Sequence, residues 1–239
     1  MSFSFEKCFF SFSALLLCIA LLFCRLQTTF PVANVQASAE TRFTVVIDAG
    51  HGGTDAGAIG VNGVLEKDLN LVYAQTLAAL FREKGVTVVF TREKDALVLK
   101  AGEEKAPSRK ACDLKNRVEI ANSVENALFI SIHMNSFPEE KYKGFEAYYS
   151  LNTPESRIYA EAVQSAVKEK HEPNSRRRAK GSEDIYLLAN AKGPAVLLEC
   201  GFLSSKEDAA KLSSKDYQKE LCFSVFCAIM EVKEKLSKG

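Results

Sequence analysis

From Phe43 onward, short β-branched runs alternate with longer stretches in which apolar residues recur at helical spacing. The runs predict six strands: FTVVID (43–48), VTVVFTR (86–92), ALFISIH (127–133), GFEAYYS (144–150), IYLLA (185–189) and AVLLECG (195–201). The longer stretches predict helices at 66–85, near 108–124, at 155–170 and at about 217–236. This alternation predicts an α/β fold, a single domain with a mostly parallel twisted sheet of about six strands and helices on both faces.

Two of these helices have a predicted apolar face. The first helix begins at Glu66, and its face comprises Leu69, Val72, Tyr73, Leu77, Leu80 and Phe81. The face of the helix at 155–170 comprises Ile158, Tyr159, Ala162, Val163 and Ala166. We expect both faces to pack against the sheet.

The first 39 residues differ in composition from the rest. An uncharged apolar run extends from Cys8 to Cys24, follows Lys7, and leads to Ala37-Ser38-Ala39, which fits a small-x-small cleavage site. These features predict a secretory signal peptide. The alternative is an uncleaved membrane anchor, because the run is nearly long enough to span a bilayer. Either reading predicts export, a catalytic domain at 40–239, and membrane contact only through the leader.

The charges of the chain exclude one class of partner. Lys plus Arg number 31 and Asp plus Glu number 30, and removing residues 1–39 leaves 29 of each sign. Nucleic-acid binding depends on a basic surface, so we expect no nucleic-acid partner. The basic loop, residues 176–180 (RRRAK), is interpreted as a solvated surface, with binding of an acidic muropeptide or a partner protein as the alternative.

Candidate chemistry lies where predicted strands end. His51 follows the first strand, His133 closes the third and Glu199 lies in the last, while Glu66 opens the first helix. Ligands of open α/β sheets bind outside the carboxyl ends of the strands, so we expect these side chains to meet. Two imidazoles and a carboxylate with an open fourth position are typical of hydrolytic zinc sites. We therefore predict His51, Glu66 and His133 as zinc ligands and Glu199 as the group that accepts a proton from water.

Plainer readings exist for each residue. A histidine at a strand end is often structural, and Glu66 is also a favourable first-turn charge. A carboxylate within an apolar strand, such as Glu199, is harder to explain without a function. Gly50, Gly52 and Gly53 are expected to adopt backbone angles closed to other residues and so direct His51. These glycines match neither the dinucleotide nor the Walker phosphate pattern, and His171 is assigned no role.

At these residues the chain resembles the zinc-dependent N-acetylmuramoyl-L-alanine amidases of the amidase-3 type, which cleave bacterial peptidoglycan. The motifs that carry the resemblance are IDAGHGGTDAGAIG, LEKDLNL, TRE with Asp95, RVEIAN, FISIHMNS and LLECGFLSS. The resemblance implies Zn²⁺ on His51, Glu66 and His133, and Glu199 as the catalytic glutamate. Asn135, in the HMN segment, is a candidate contact to substrate or to a ligand.

A narrower resemblance concerns APSRKACDLKNRV and the segment from RRRAKG to FLSS, which look like the germination-specific, CwlD-type amidases of endospore formers. It implies removal of stem peptides in spore-cortex maturation, which permits muramic δ-lactam formation. Three alternatives remain: a general wall-remodelling amidase, a zinc peptidase or deacetylase, and an inactive or partner-dependent wall-binding module. The chain has no H-E-x-x-H motif, which removes the commonest peptidase route. Peptidoglycan is the expected substrate, and an activating partner protein is possible.

Overall fold

The computed structural model describes residues 43–238, so the predicted leader at 1–39 lies outside the described residues. The strands are β1 Thr44–Ala49, β2 Thr87–Phe90, β3 Ala127–Asn135, β4 Glu146–Tyr149, β5 Lys180–Gly181 and β6 Ala195–Phe202. The helices are α1 Glu66–Glu83, α2 Arg109–Asn122, α3 Pro154–His171, α4 Tyr186–Asn190, α5 Lys206–Leu212 and α6 Lys215–Leu236. Within 43–238 no helix is long and apolar enough to cross a membrane.

The six strands form one sheet in the order β2-β1-β3-β6-β4-β5. Neighbouring strands run parallel except at one position, where β4 is antiparallel to β6. This confirms the predicted α/β fold with a mostly parallel sheet. The carboxyl ends of β1, β3 and β6 lie at the same edge, and the first residue of the reversed strand β4 joins them there.

Side chains of the inner strands alternate between two apolar clusters, as the period of a strand requires. In β1, Val45 and Ile47 belong to the larger cluster, with residues from α1, α3 and α6, whereas Val46 faces the smaller cluster, with residues from α2 and α4. Helices therefore cover both faces, and the inner strands are buried on each side. This burial explains why they are nearly continuous apolar runs.

One predicted strand is wrong. Residues 185–189 lie within and just before helix α4, and the sixth strand is instead the two-residue β5, inside the basic loop. A short apolar run cannot be assigned to a strand or a buried helix by periodicity alone. Here Leu187 and Leu188 are both buried against the smaller cluster, which a helical turn allows for adjacent residues.

Two residues of the predicted helix faces are also misplaced. Val72 on α1 is 41% exposed and Ile158 on α3 is 44% exposed. On α3, the buried face includes the polar residues Ser156 and Gln164, whose side chains accept hydrogen bonds from Ala195 N and Ala147 N of the sheet. Because apolar periodicity does not count such polar partners, it placed the buried face at the wrong angle around the helix.

Candidate metal centre and its cleft

His51, Glu66 and His133, hereafter the His–Glu–His group, meet at the carboxyl edge of the sheet. One ligand atom from each residue lies within 4.8 Å of the others. Glu66 Oε1 is 3.2 Å from His51 Nε2 and 3.0 Å from His133 Nδ1. The two imidazole rings are 4.9 Å apart between centroids and cross at 75°. The three predicted ligands therefore converge on one point, although 82 residues of sequence separate the first from the last.

Glu66 is fixed by its place at the first residue of α1. Its Oε2 accepts a hydrogen bond from Ala58 N at 2.8 Å, and its Oε1 accepts one from Met134 N at 3.1 Å. Burial opposes ionisation, but the hydrogen bonds and charges of His133 and His51 prevail and lower the pKa of Glu66 far below its usual range. The carboxylate is therefore ionised and held in place before any ligand binds.

His51 has an unusual backbone. Its φ is 60°, in the left-handed region that few non-glycine residues occupy. Its ring lies with Nδ1 2.9 Å from Asp55 Oδ2, which leaves Nε2 directed at Glu66. Burial of the ring lowers its proton affinity, but the hydrogen bonds and charges of Glu66 and Asp55 are stronger and raise the pKa of His51. Asp55 thus orients the ring, a role the sequence reading did not assign.

Two buried arginines hold the backbone that carries His51. Arg117, on α2, donates to Ala49 O at 2.7 Å and to His51 O at 2.6 Å. Arg92 donates to Ala49 O at 2.7 Å and to Gly50 O at 3.0 Å. Three consecutive carbonyl groups beyond β1 are therefore fixed by guanidinium donors, and this support holds the strained residue in place.

Arg117 is neutralised within the core. Its Nη1 lies 2.7 Å from Asp48 Oδ1 and its Nε lies 2.8 Å from Asp113 Oδ2. Asp48 also accepts hydrogen bonds from Thr91 and Ser131. Burial opposes ionisation of Asp48, but Arg117 and the two hydroxyls lower its pKa. Arg92 and Arg117 belong to the TRE and RVEIAN motifs, which had no predicted role because their contacts are distant in sequence.

The glycines of the loop act in two ways. Gly52 and Gly53 have φ values of 138° and 55°, as predicted for backbone angles that favour glycine. The expectation for Gly50 is wrong, because Gly50 is not among the residues of positive φ. A Cβ at Gly50 would lie 2.2 Å from the His133 ring, so its role is to leave space. Asp95 anchors the same loop by accepting from Gly53 N at 2.6 Å.

Glu199 lies beside the His–Glu–His group in the sheet. It is the register partner of His133 in the β3–β6 ladder, so both side chains project from the same face. Its Oε2 is buried and has no hydrogen-bond partner among residues 43–238. Burial, with the nearby charge of Glu66 and against the opposing effect of His133, raises the pKa of Glu199 to about 7. This carboxylate therefore has a high proton affinity and a free oxygen.

The remaining sequence candidates lie at or away from this edge. Asn135, two residues beyond His133, accepts a hydrogen bond from Ser136 N through Oδ1 and one from Leu203 N through its backbone oxygen. His171 contacts Ser224 Oγ at 3.0 Å on the face covered by α3 and α6, apart from the His–Glu–His group. Glu146 of β4, which was not predicted, is the register partner of Glu199 and extends the row of polar side chains to a third strand.

The side chains fit a divalent zinc-type ion. Two imidazole nitrogens face one ionised carboxylate oxygen within the span of a single ion, and this donor set is the one expected of catalytic zinc. Asp55 supplies the partner on the far nitrogen of His51, the usual arrangement for a metal-binding histidine. The unpartnered oxygen of Glu199 is the adjacent acceptor. The ligand assignments remain predictions that this geometry supports.

Comparison with protein families gives a match over most of the described chain. The family described as Amidase_3, N-acetylmuramoyl-L-alanine amidase, matches residues 45–231. Among characterised relatives, the germination-specific N-acetylmuramoyl-L-alanine amidase of Bacillus subtilis strain 168 is 36% identical over 186 residues, which are 78% of this chain and 78% of the relative.

Two solved structures share the architecture. The CwlD amidase of Clostridioides difficile, solved in complex with the GerS lipoprotein, has a TM-score of 0.76 and 33% identity over 80% of this chain and 98% of that chain. The amidase AmiC2 of Nostoc punctiforme has a TM-score of 0.70 and 31% identity over 81% of this chain and 98% of that chain. The similarity therefore covers both sequence and fold.

Proposed function

Because the chain belongs to the N-acetylmuramoyl-L-alanine amidase family, we propose that it is a zinc-dependent hydrolase that cleaves the amide between the lactyl group of N-acetylmuramic acid and L-alanine. Peptidoglycan is the substrate class that the family implies, and its action is extracytoplasmic. The observation that carries the zinc proposal is the convergence of His51, Glu66 and His133 within 4.8 Å.

His51 Nε2, His133 Nδ1 and Glu66 Oε1 are the atoms proposed to hold the ion, because they face one another. Bound zinc supplies Lewis acidity, which polarises a carbonyl oxygen and lowers the pKa of water to about 7. Glu66 contributes a full negative charge without first losing a proton. Asp55 fixes His51 so that its second ring nitrogen remains available.

Glu199 is proposed as the group that moves protons. Its carboxylate takes a proton from the attacking water and later donates it to the amine of L-alanine, which leaves with the stem peptide. A group with a pKa of about 7 in the metal-free chain is suited to both steps, because it accepts and releases protons near neutral pH. The cross-strand pairing with His133 places this carboxylate next to the reacting centre.

Spore-cortex maturation is the proposed biological setting. The support is that the relatives with 36% and 33% identity are a germination-specific amidase and a CwlD amidase. In this setting, removal of stem peptides precedes muramic δ-lactam formation. General remodelling of the vegetative wall is the second candidate, favoured by the similarity to AmiC2 of Nostoc punctiforme.

We further propose that the apolar leader directs the chain out of the cytoplasm, as a cleaved signal peptide or an anchor, and that residues 40–239 form the catalytic domain. A partner protein is also proposed. Its support is that the similar CwlD amidase was solved in complex with the GerS lipoprotein.

The test is a digest of purified peptidoglycan with the protein, with and without a chelator. Vegetative walls and spore-cortex walls are digested in parallel, and released peptides are identified by mass spectrometry. We expect stem peptides beginning with L-alanine, their loss in chelator, and recovery on addition of Zn²⁺. Products cut within the peptide or glycan, or release that continues unchanged in chelator, would refute the proposal.

A further inference from the structure

The basic loop, residues 176–180, has no part in the proposed reaction, yet it is not uniformly solvated. Arg176 and Arg178 are exposed, whereas only 24% of the Arg177 side chain is accessible. Alternation of this kind is the pattern of an extended segment with one side against the protein. The parallel pairing of Lys180 and Gly181 with β4 fixes the end of the loop to the sheet.

Glu146 is the residue that anchors the loop. Its Oε1 lies 3.1 Å from Arg177 Nη1 and 2.5 Å from Lys180 Nζ, and its Oε2 accepts a hydrogen bond from Tyr148 Oη at 2.9 Å. Only 4% of the Glu146 side chain is exposed. Two cations share this single carboxylate, so one positive charge is left over and faces solvent.

The position of this surplus charge relates it to the catalytic cleft. Glu146 is opposite Glu199 in the antiparallel β4–β6 ladder, where paired side chains have Cβ atoms about 5 Å apart. The Arg177 guanidinium lies 5.1 Å from the ring centroid of Phe202, at the end of β6. The two cations are therefore one strand away from the proposed proton acceptor.

The space beside these cations is an open cavity of about 590 Å³. It is lined by Glu146, Ser175, Arg176, Arg177, Arg178 and Lys180. Four of these side chains are cationic and one is acidic, in a chain whose formal net charge is only +1. The local surplus is therefore a property of this cavity and does not reflect the overall composition. An anionic ligand is the class that such a cavity favours.

We propose that Arg177 and Lys180 bind a free carboxylate of the stem peptide, on the second or third residue from the scissile amide. This inference rests on the proposed amidase function. The lactyl carboxyl group is consumed in the amide, so the free carboxylates near the reaction belong to the leaving peptide. An extended residue spans about 3.3 to 3.6 Å, so two or three residues reach from Glu199 to cations one strand away.

The test compares pairs of muramoyl tetrapeptides that differ in one group. In one pair the α-carboxyl group of the second residue is free or converted to the carboxamide, and in the other pair the side-chain carboxyl group of the third residue is changed in the same way. For the wild-type full chain with Zn²⁺, we expect kcat/KM to fall about tenfold to a hundredfold for one carboxamide. Equal kcat/KM for acid and amide in both pairs would overturn the inference, and this result depends on no variant.

Variants then assign the preference to residues. Arg177→Gln and Lys180→Gln should each reduce the acid-to-amide ratio toward one, chiefly by lowering kcat/KM for the acid. The matched control is Arg157→Gln, which removes the same charge from an exposed ion pair with Glu161 on α3 and should keep the ratio. An equal loss on acid and amide substrates would show that the cations only support Glu146 and would overturn the assignment.

A binding measurement separates this inference from the proposed function. The released tetrapeptide and its carboxamide are titrated into the full chain by calorimetry. If the tetrapeptides are not hydrolysed but the acid binds at least about tenfold more tightly than the amide, the amidase proposal fails while the carboxylate site stands. If hydrolysis proceeds but acid and amide bind and react alike, the carboxylate site fails alone.

Discussion

The cleft has two flanks that use arginine in opposite ways. On one flank, Arg117 is 1% exposed and its donors are directed at Asp48, Asp113 and backbone carbonyls. On the other flank, Arg177 and Lys180 are 24% and 57% exposed and share Glu146. A fully paired, buried cation can only hold neighbouring groups in position. A cation with accessible donors can also meet a ligand, so the first flank is suited to fixing the metal centre and the second to receiving substrate.

The strongest test of this comparison is loss of a metal ligand on the fixed flank. His51→Ala and His133→Ala should each lose bound zinc, and turnover should fall about a thousandfold or more, because several kcal/mol of charge stabilisation disappear. Zinc content by atomic absorption and release of stem peptides measure the two effects. His171→Ala is the control, since His171 contacts Ser224 away from the group. Full zinc content in either ligand variant would remove that histidine from the site.

The next test separates proton transfer from metal binding. Glu199→Gln keeps the shape of the side chain but removes its basicity, so turnover should fall about 10² to 10⁴-fold while zinc content stays the same. Glu66→Gln, in contrast, should lose zinc because it removes the charged ligand. Measuring zinc stoichiometry and kcat in both variants distinguishes the two carboxylates. Wild-type turnover in Glu199→Gln would contradict the assigned role.

A smaller effect is expected from the arginine that supports His51. Arg117→Lys keeps the charge but lacks the fork of donors, so His51 O loses its partner and zinc affinity should fall about tenfold to a hundredfold. Arg117→Met leaves two buried carboxylates unpaired and should reduce the free energy of unfolding by about 3 to 5 kcal/mol. Competition with a zinc chelator and denaturant titration provide the measurements.

The control for this experiment comes from the second flank. Arg177→Lys should leave zinc affinity unchanged, because Arg177 contacts Glu146 and Phe202 and supports none of the loop carbonyls that hold His51. If Arg117→Lys and Arg177→Lys changed zinc affinity equally, the distinction between a holding flank and a receiving flank would be lost.

The smallest expected effect is the pH dependence of stability in the metal-free chain. The pKa of Glu199 is about 7 in the folded chain against 4.5 for the free side chain, so its stabilising contribution is complete below pH 4.5 and is lost as pH rises through 7. Glu199→Gln removes this loss. The stability of the variant relative to wild type should therefore be about 2 to 3 kcal/mol more favourable at pH 8 than at pH 5. Denaturant titrations in chelator measure the difference, and a pH-independent difference would show that Glu199 titrates normally.

The sequence was sufficient for the parts of the structure that depend on local pattern. Strand periodicity and the position of polar residues at strand ends predicted the sheet and brought His51, His133 and Glu199 to one edge. Residues 185–189 were assigned wrongly because adjacent buried leucines suit a short helix as well as a strand. Arg92 and Arg117 went unassigned because they bind backbone carbonyls more than 40 residues away, and no local pattern marks such an acceptor.

Asp55 and Glu146 illustrate a second limit. Asp55 is four residues after His51, a spacing that could have suggested a contact, but the contact depends on the left-handed backbone of His51. The role of Glu146 depends on strand order, because β4 follows β3 in sequence yet pairs with β6. Strand pairing of this kind is a property of the assembled sheet.

The reversed direction of β4 determines which parts of the chain can change the rim of the cleft. Parallel strands deliver only their last residues to this rim, whereas β4 delivers its first residue, Glu146. The segment 136–145 that precedes β4 is consequently part of the rim as well, with Phe137 and Tyr142 at its surface. Insertions or substitutions there can reshape the substrate path while the strands bearing His133 and Glu199 remain as they are, so related enzymes have a route to new wall chemistries that spares the hydrolytic centre.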